Sequence, residues 1–167
     1  MNQLYNNLCR ILVIVFIFTL SISIKGQDDY LFEHITVSDG LSSSRFNPFE
    51  VVFQDKYGFM WFGTVDGLNR YDGYSFQVYK SVPGDSTSLP SNNIQTIIED
   101  SSGNLWIGTP GNMSILDRRT NKFKTYPLGR IPNQPQRNVN VFRSYLDSHK
   151  QLWVGTQGRG IQKWDTD

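Results

Sequence analysis

Three aspartates recur at one fixed place in the chain, and their carboxylates are the groups best suited to chemistry. Asp55, Asp100 and Asp147 each lie six residues before the tryptophan of a W-x-G-T motif. A pair of carboxylates can hydrolyse a glycosidic bond. A catalytic pair would break the repeat, however, whereas an aspartate at the same place in every copy favours a turn in which it accepts backbone N–H groups. We therefore interpret the three aspartates as turn formers and predict no catalytic residue.

The tryptophans of the same motifs are the second group of residues that could bind a ligand. Trp61, Trp106 and Trp153 are separated by 45 and 47 residues. Their rings could stack on sugars, but large aromatic side chains at a constant place in each repeat are more typical of buried packing. We predict that they form the core between successive repeats.

Four further side chains are candidates for contact with a ligand. Tyr57, Phe59, Arg70 and Tyr74 are aromatic or basic and are expected near a rim, because loops and turns on a rigid scaffold often carry recognition. The ligand-binding residues are otherwise unknown from the sequence.

Metal and cofactor chemistry finds no support in the residue pattern. His34 and His149 are the only histidines, and neither has the spacing to other ligands that a metal site needs. Asp66 and Asp72 flank a glycine-containing segment, but their spacing is not that of a calcium loop. We predict no metal site and no cofactor.

The spacing of the motifs predicts the fold. A period of 40–50 residues is typical of propellers and solenoids, and each period contains four short strand patterns separated by turns. The sequence lacks alanine and is 14% aromatic. We predict an all-β fold, a partial β-propeller of about three four-stranded antiparallel blades, with repeats at about 49–80, 94–127 and 141–167.

Two local features refine this prediction. The glycine after each tryptophan is expected to let a neighbouring backbone or aromatic ring approach closely. Lys150 stands where the turns of the other repeats have Gly58 and Gly103. A lysine in the left-handed region costs about 1 kcal/mol, so that turn either changes type or weakens its blade.

The ends of the pattern indicate an incomplete ring. The third repeat reaches only its third strand, and residues 31–37 resemble an orphan fourth strand that would complete a blade beyond residue 167. A ring needs at least about four blades. We therefore predict the start of a larger propeller, marginal and prone to associate when made alone, because repeats bury their faces only against neighbours.

Residues 1–26 read as a secretory signal peptide. Arg10 precedes an apolar run over residues 11–24, and small residues follow, which is the layout of such a signal. Cleavage after Ser23 or after Gly26 fits equally well. The run is short for a membrane span of about 20 residues, and an uncleaved signal anchor is the alternative.

The net charge and the cysteine content argue against some classes of function. The net charge is +1, and removal of Arg10 and Lys25 with the signal leaves −1. A nearly neutral chain lacks the basic surface of a nucleic-acid-binding protein. The only cysteine, Cys9, precedes the apolar run, so the mature chain would have no disulfide and no cysteine-based metal site.

Several strings together resemble a known family. Residues 35–42 (ITVSDGLS), the W-x-G-T copies, residues 66–73 (DGLNRYDG) and the connector at residues 79–86 (YKSVPGDS) resemble the two-component regulator propeller repeats of Bacteroidetes hybrid sensor histidine kinases. The resemblance covers about residues 30–167.

The resemblance implies a place in signal transduction by phosphorelay. Such proteins carry two propellers of about seven blades, an immunoglobulin-like domain, a membrane helix, a histidine kinase, a receiver and a DNA-binding domain, and many sense oligosaccharides. The chain would then be a periplasmic sensor fragment of a parent anchored in the inner membrane. Its partners would be the remaining blades and downstream domains, and an oligosaccharide is the expected ligand.

Two other classes stay open on the residues alone. A secreted propeller enzyme, of lyase or quinoprotein type, would need a cluster of catalytic or metal-binding groups on one face. An adhesion or scaffold propeller would need only further blades. The pattern favours the sensor fragment, which would itself not be an enzyme and would bind no nucleic acid.

Overall fold

The strand patterns fold into three antiparallel sheets. The computed structural model describes residues 31–46, 51–129 and 139–166, together with Gln3 and Tyr5. The strands of the described residues all lie in the unit Ile35–Asp167, which is separate from the unit Met1–His34. The predicted signal helix falls outside the described residues.

Each sheet is a meander in which consecutive strands pair. Sheet 1 has the order β1-β2-β3-β4, sheet 2 the order β5-β6-β7-β8, and sheet 3 the order β9-β10-β11. The strands of sheet 1 are Val52–Gln54, Met60–Thr64, Gly67–Tyr71 and Phe76–Tyr79. Those of sheet 2 are Thr96–Glu99, Leu105–Thr109, Asn112–Asp117 and Lys122–Pro127. Those of sheet 3 are Val141–Leu146, Gln151–Thr156 and Gly160–Asp165.

The all-β prediction is confirmed, and the strand counts agree with the sequence pattern, in which the third repeat reaches only its third strand. Sheets 1 and 2 have the four strands expected of a blade, whereas sheet 3 has three. Residues 31–36 have no regular secondary structure and Val37–Asp39 forms a 3-10 helix. Residues 31–37 therefore form no strand here, and their pairing with a blade beyond residue 167 stays a prediction.

The core consists of two layers, one at each junction between sheets. The first layer joins Trp61, Leu68 and Tyr79 of sheet 1 to buried apolar residues of sheet 2. The second joins Trp106 and Met113 of sheet 2 to Val154 of sheet 3. Side chains alternate between the two faces of a strand. The middle sheet therefore buries both of its faces, which explains why β6 is buried at every position.

The glycines of the first two W-x-G-T motifs lie tightly against neighbouring side chains. A Cβ added to Gly63 would lie 2.6 Å from Cγ2 of Ile94, and one added to Gly108 would lie 2.4 Å from Cγ2 of Thr96. The predicted close approach is thus made by the side chains of Ile94 and Thr96 and not by a backbone or an aromatic ring, and Thr96 is the strand partner of Gly108 within sheet 2. Gly155 in sheet 3 has its nearest neighbour, the Arg143 carbonyl oxygen, at 3.6 Å.

The connector that joins β4 of sheet 1 to β5 of sheet 2 packs against sheet 2. Leu89 within it is buried, and the backbone N–H of Phe123 donates to the Thr87 carbonyl oxygen over 2.7 Å. The connector therefore covers part of β8, the outer strand of sheet 2, and protects an edge that would otherwise be open to pairing.

Candidate functional site

Five turns lie at one end of the three sheets, which we call the turn end. They join β1 to β2, β3 to β4, β5 to β6, β7 to β8 and β9 to β10. Because alternate strands of a meander run in the same direction, the first and third turns of each sheet meet at the same end. Most of the residues singled out in the sequence lie here.

Each repeated aspartate is the centre of its turn. One carboxylate oxygen of Asp55 accepts the N–H groups of Tyr57 and Phe59, both at 3.0 Å, and the other accepts the indole N–H of Trp61 at 2.7 Å. The same pattern recurs around Asp100, with Ser102, Asn104 and Trp106, and around Asp147, with His149, Gln151 and Trp153. The predicted turn role is confirmed.

The bond between aspartate and indole was not predicted. Its signal was present in the sequence, since the six-residue interval from Asp to Trp is the same in every copy. A buried indole N–H needs an acceptor, and only the aspartate recurs at a constant distance. Each of the three carboxylates thus accepts at least three hydrogen bonds from its own turn and its own tryptophan, which is the role of a structural acceptor.

Arg118 links the turn ends of sheets 1 and 2. Its guanidinium lies 2.5 Å from the Asp55 carboxylate and 2.9 Å from that of Glu99, and its Nε–H donates to the Gly103 carbonyl oxygen at 3.1 Å. The same group lies 5.1 Å from the centre of the Tyr57 ring. Because a planar guanidinium can serve two carboxylates and an aromatic face at once, one side chain connects three turns.

This environment lowers the pKa of Asp55. Burial alone would raise the pKa, since it disfavours the charged form. The hydrogen bond and the charge of Arg118, the indole of Trp61 and the Phe59 N–H together outweigh burial and hold the pKa below its ordinary value of 3.8. Asp55 is therefore a buried, ionised and fully paired carboxylate.

Loss of the Arg118 side chain is expected to weaken the first junction. Arg118→Met removes the partner of a carboxylate that is wholly buried, and breaking such a pair costs more than the pair itself contributes. We expect the free energy of unfolding to fall by about 2 kcal/mol in urea denaturation, less than for a fully enclosed pair because Arg118 itself is partly exposed. The neighbouring exposed residue supplies the control, and Arg119→Met should change the value by less than about 0.5 kcal/mol. Equal effects of the two substitutions would contradict the linking role.

Acid is expected to destabilise the fold through the same carboxylate. A depressed pKa stabilises the folded state above the unfolded pKa of about 3.9, and this stabilisation is lost as the pH falls through the folded pKa. The free energy of unfolding should thus hold steady from pH 7 to about 5 and decline below about pH 4.

The Arg118→Met variant distinguishes the contribution of Asp55 to the pH dependence from those of the other turn aspartates. Without the guanidinium, only the Trp61 indole and the Phe59 N–H oppose the effect of burial, so the pKa of Asp55 is higher than in the wild type. The variant should therefore lose less free energy of unfolding between pH 5 and pH 3 than the wild type does. Contributions of Asp72, Asp117 and Asp147, whose pKa values are also lowered, cancel in the comparison. Parallel pH profiles for the two proteins would refute this assignment.

A cleft of about 820 Å³ opens at the turn end beside sheet 2. We call it the turn cleft; its charged and aromatic lining residues are Tyr57, Asp117, Arg118, Arg119, Lys122, Phe123, Lys124 and Tyr126. Asp117 accepts hydrogen bonds from Arg119 N–H and the Thr120 hydroxyl within its own turn. The cleft therefore combines aromatic surface with an excess of positive charge, which suits a polar or acidic ligand.

The four residues that were predicted to lie near a rim and contact a ligand occupy different places in the structure. Tyr57 lines the turn cleft. Arg70 lies over the Phe59 ring, with 4.6 Å between its guanidinium carbon and the ring centre. Tyr74 is almost fully exposed in the turn from β3 to β4. The structure thus brings Phe59 and Arg70 together and leaves Tyr74 apart.

The residues considered above as metal ligands lie in turns, in an ion pair or on the surface. Asp66 pairs with Lys80 at 2.7 Å, and Asp72 accepts the N–H groups of Tyr74 and Ser75 at 2.8 Å. Both histidines are exposed. Among the described residues, no group of three or more histidines, cysteines, aspartates and glutamates is placed to hold a metal ion.

Sequence reasoning missed Arg118 and the turn cleft. The position after the third-strand aspartate is Gly73 in the first repeat, Arg118 in the second and Thr166 in the third. Because the arginine occurs in one repeat only, no periodic signal marks it. No helix within the described part of the chain is long and apolar enough to cross a membrane.

The fold and the site define an all-β stack of blade-like sheets whose turn end carries a basic, aromatic cleft. Comparison with known proteins identifies relatives of this chain. Residues 88–111 match the family described as two component regulator propeller. Over 78 residues the chain is 47% identical to Histidine kinase P4 of Formosa agariphila, a match that covers 46% of this chain and 5% of that protein.

Two crystal structures of an extracellular domain from B. thetaiotaomicron are also similar. The protein is described in one as a one component system and in the other as a hybrid two component system. The likenesses have TM-scores of 0.63 and 0.64 and identities of 31% and 30%. Each covers 81% of this chain but only 18% and 19% of the domain. The chain thus spans a small part of its relatives, and its resemblance to regulator propellers of two-component histidine kinases is confirmed.

Proposed function

We propose that the chain is part of the periplasmic sensor of a hybrid two-component system and that it takes part in recognising glycans or other polymers. The likeness to extracellular sensor domains carries this proposal, because it joins the blade architecture to a known type of protein. The carboxylates of the repeats are committed to turns, which favours recognition over catalysis. In this proposal the remaining blades, the kinase and the output domains belong to a longer parent anchored in the inner membrane.

Export can be tested separately from ligand binding. We propose that residues 1–26 direct the chain out of the cytoplasm. Alkaline phosphatase fused after residue 167 should then be active in a bacterial host, whereas β-galactosidase fused at the same point should not. Deletion of residues 11–24 is the matched control and should reverse both results. Full phosphatase activity without the apolar run would disprove the assignment.

Ligand recognition is assigned to the turn cleft. Its basic and aromatic lining makes acidic oligosaccharides the first probes, with neutral ones as the comparison. Titration of the full chain with oligogalacturonate, xylohexaose and cellohexaose, followed by calorimetry, should give binding to at least one probe. Tyr57→Ala should weaken that binding about tenfold, since stacking on an aromatic ring contributes on the order of 1 kcal/mol. Tyr74→Ala, which removes an exposed ring outside the cleft, should leave it unchanged.

The same samples distinguish the sensor from the alternative enzyme. A sensor segment leaves the probes intact, whereas a lyase or hydrolase would produce new ends that chromatography detects. Failure of every probe to bind, or equal losses from Tyr57→Ala and Tyr74→Ala, would count against recognition at the cleft. The genomic DNA after codon 167 tests the rest of the proposal, since a membrane helix and kinase should follow.

A further inference from the structure

The ion pairs of Arg118 occur once in an otherwise periodic fold. Glu99 directly precedes the turn aspartate of the second repeat, where the first repeat has Gln54 and the third has Leu146. Neither of the other repeats has an arginine at the position of Arg118. The junction between sheets 2 and 3 therefore lacks both the cation and its second carboxylate. Residues that depart from an otherwise consistent pattern are often those that serve function.

Stability alone does not explain this group of charges. The Arg118 guanidinium pairs with two carboxylates, those of Asp55 and Glu99. Removing such charges from water costs about as much free energy as their attraction contributes, so the group is weak evidence for stabilisation. A cation that its neighbours already hold in one orientation is, however, well prepared to bind a further acceptor, because it loses little entropy on binding.

The guanidinium retains donors for a ligand. Arginine has five N–H groups, and three of those on Arg118 donate to Asp55, Glu99 and the Gly103 carbonyl oxygen. Among the residues that the structure describes, the other two have no acceptor. The Arg118 side chain is 22% exposed and lines the turn cleft, so a ligand in the cleft can accept these N–H groups.

The wall of the cleft that carries Arg118 lies between two complete sheets, since sheets 1 and 2 each have four strands. The Tyr57 ring stands beside the guanidinium, with 5.1 Å between the ring centre and the guanidinium carbon, and Tyr57 is 63% exposed. A sugar ring stacked on Tyr57 would therefore lie next to Arg118. A carboxylate on that sugar matches the planar guanidinium better than a hydroxyl does.

The other cations of the cleft are less suited to select a ligand. Arg119, Lys122 and Lys124 line it, but all three are exposed. Interactions of exposed charges are screened by salt, and long flexible side chains lose entropy when a ligand orders them. Arg118 is the cation whose orientation is fixed before a ligand arrives.

We propose that Arg118 binds a carboxylate of an acidic saccharide in the turn cleft and that Glu99 competes with this carboxylate for the same guanidinium. Glu99 helps to hold Arg118 in place, and its negative charge also opposes a second anion beside it. Glu99 therefore sets the affinity for the acidic ligand. This inference rests on the proposed recognition at the cleft, which a neutral saccharide would satisfy equally well.

A matched pair of probes separates the charge of the ligand from its sugar rings. Oligogalacturonate and its fully methyl-esterified form share the same rings, and only the first carries carboxylates. In calorimetric titration of the full chain, oligogalacturonate should bind about tenfold more tightly than the ester. Arg118→Lys keeps the positive charge but loses the planar fork, so it should weaken the binding of oligogalacturonate about tenfold. Binding of the ester should stay unchanged, which also shows that the variant is folded.

Glu99→Gln tests the competition independently of any change at Arg118. It removes the negative charge beside the guanidinium and keeps the length of the side chain. The affinity for oligogalacturonate should rise about tenfold, since a like charge next to the bound carboxylate is gone. Asp72→Asn is the matched control, because it removes the same charge from an exposed turn outside the cleft. It should leave the affinity unchanged.

The outcomes distinguish this inference from the proposed function. Equal affinities for the two probes would overturn the inference and leave recognition at the cleft in place. Failure of both probes to bind would overturn the inference, and the proposed recognition with it if xylohexaose and cellohexaose also fail. An acidic preference that survives Arg118→Lys would assign the selection to the exposed cations. Equal effects of Glu99→Gln and Asp72→Asn would refute the competition.

Discussion

Replacement of Trp61 by alanine is expected to lower the free energy of unfolding by about 3–5 kcal/mol, the range for loss of a large buried aromatic side chain. The ring is buried in the first junction, where it stacks on Tyr79 with 5.8 Å between ring centres. The substitution also deprives the buried Asp55 carboxylate of its indole donor. Since domains of this kind are stable by only about 5–15 kcal/mol, the variant should be close to unfolding at 25 °C.

Trp153 is the internal control for this prediction. It holds the same motif position and donates the same kind of bond to its aspartate, but it lies on the open face of sheet 3. Trp153→Ala should therefore cost only about 1 kcal/mol. Urea denaturation of both variants measures the two losses. Equal losses at the two positions would contradict the assignment of Trp61 to an interior junction.

The second large effect on the free energy of unfolding is expected at the glycine of the W-x-G-T motif. Gly63→Ala would place a methyl carbon 2.6 Å from Cγ2 and 2.9 Å from Cβ of Ile94, far inside van der Waals contact. The Ile94 side chain is itself fully buried, so the segment that leads into β5 must shift to make room. We expect a loss of about 3 kcal/mol, the upper end of the range for an overpacked core.

Gly155→Ala is the matched substitution in sheet 3. Its new methyl group would have its nearest neighbour at 3.6 Å, an ordinary contact. Alanine also restricts the unfolded chain more than glycine does, so the change should be neutral or stabilising by up to about 1 kcal/mol. Thermal unfolding of the two variants checks the difference in sign. A destabilised Gly155→Ala or an unaffected Gly63→Ala would show that the motif glycine has another role.

The periodic features of this fold could be predicted from the sequence because each is repeated. The three W-x-G-T motifs and their aspartates predicted the strands, the turns and the burial of Trp61 and Trp106. Trp153, which was predicted to be buried as well, is 38% exposed. Lys150 was predicted to occupy a turn position that prefers glycine, and its backbone indeed has φ of 62°. It keeps the turn type of the other repeats, since its N–H donates to the Asp147 carbonyl oxygen as those of Gly58 and Gly103 donate to Asp55 and Asp100.

Features that occur once were missed for a physical reason. Arg118 contacts Asp55, 63 residues earlier in the chain, and no local pattern encodes a contact of that span. The packing of Leu89 in the connector was likewise hidden among polar residues. The strand predicted over residues 31–37 would pair with a blade beyond residue 167, and such a pattern becomes a strand only where a partner strand is available.

The central claim is that successive repeats pack face to face as blades, and ring-to-ring nuclear Overhauser effects test it most directly. The pairs Tyr79–Phe123 and Tyr126–Trp164 each have 5.7 Å between ring centres, and each joins residues of two different sheets. With these aromatic residues selectively labelled in the full chain, both pairs should give strong cross-peaks, because no local structure brings residues about 40 positions apart together. Cross-peaks within each sheet without either of these two would show that the sheets fold but do not stack, and would contradict the account.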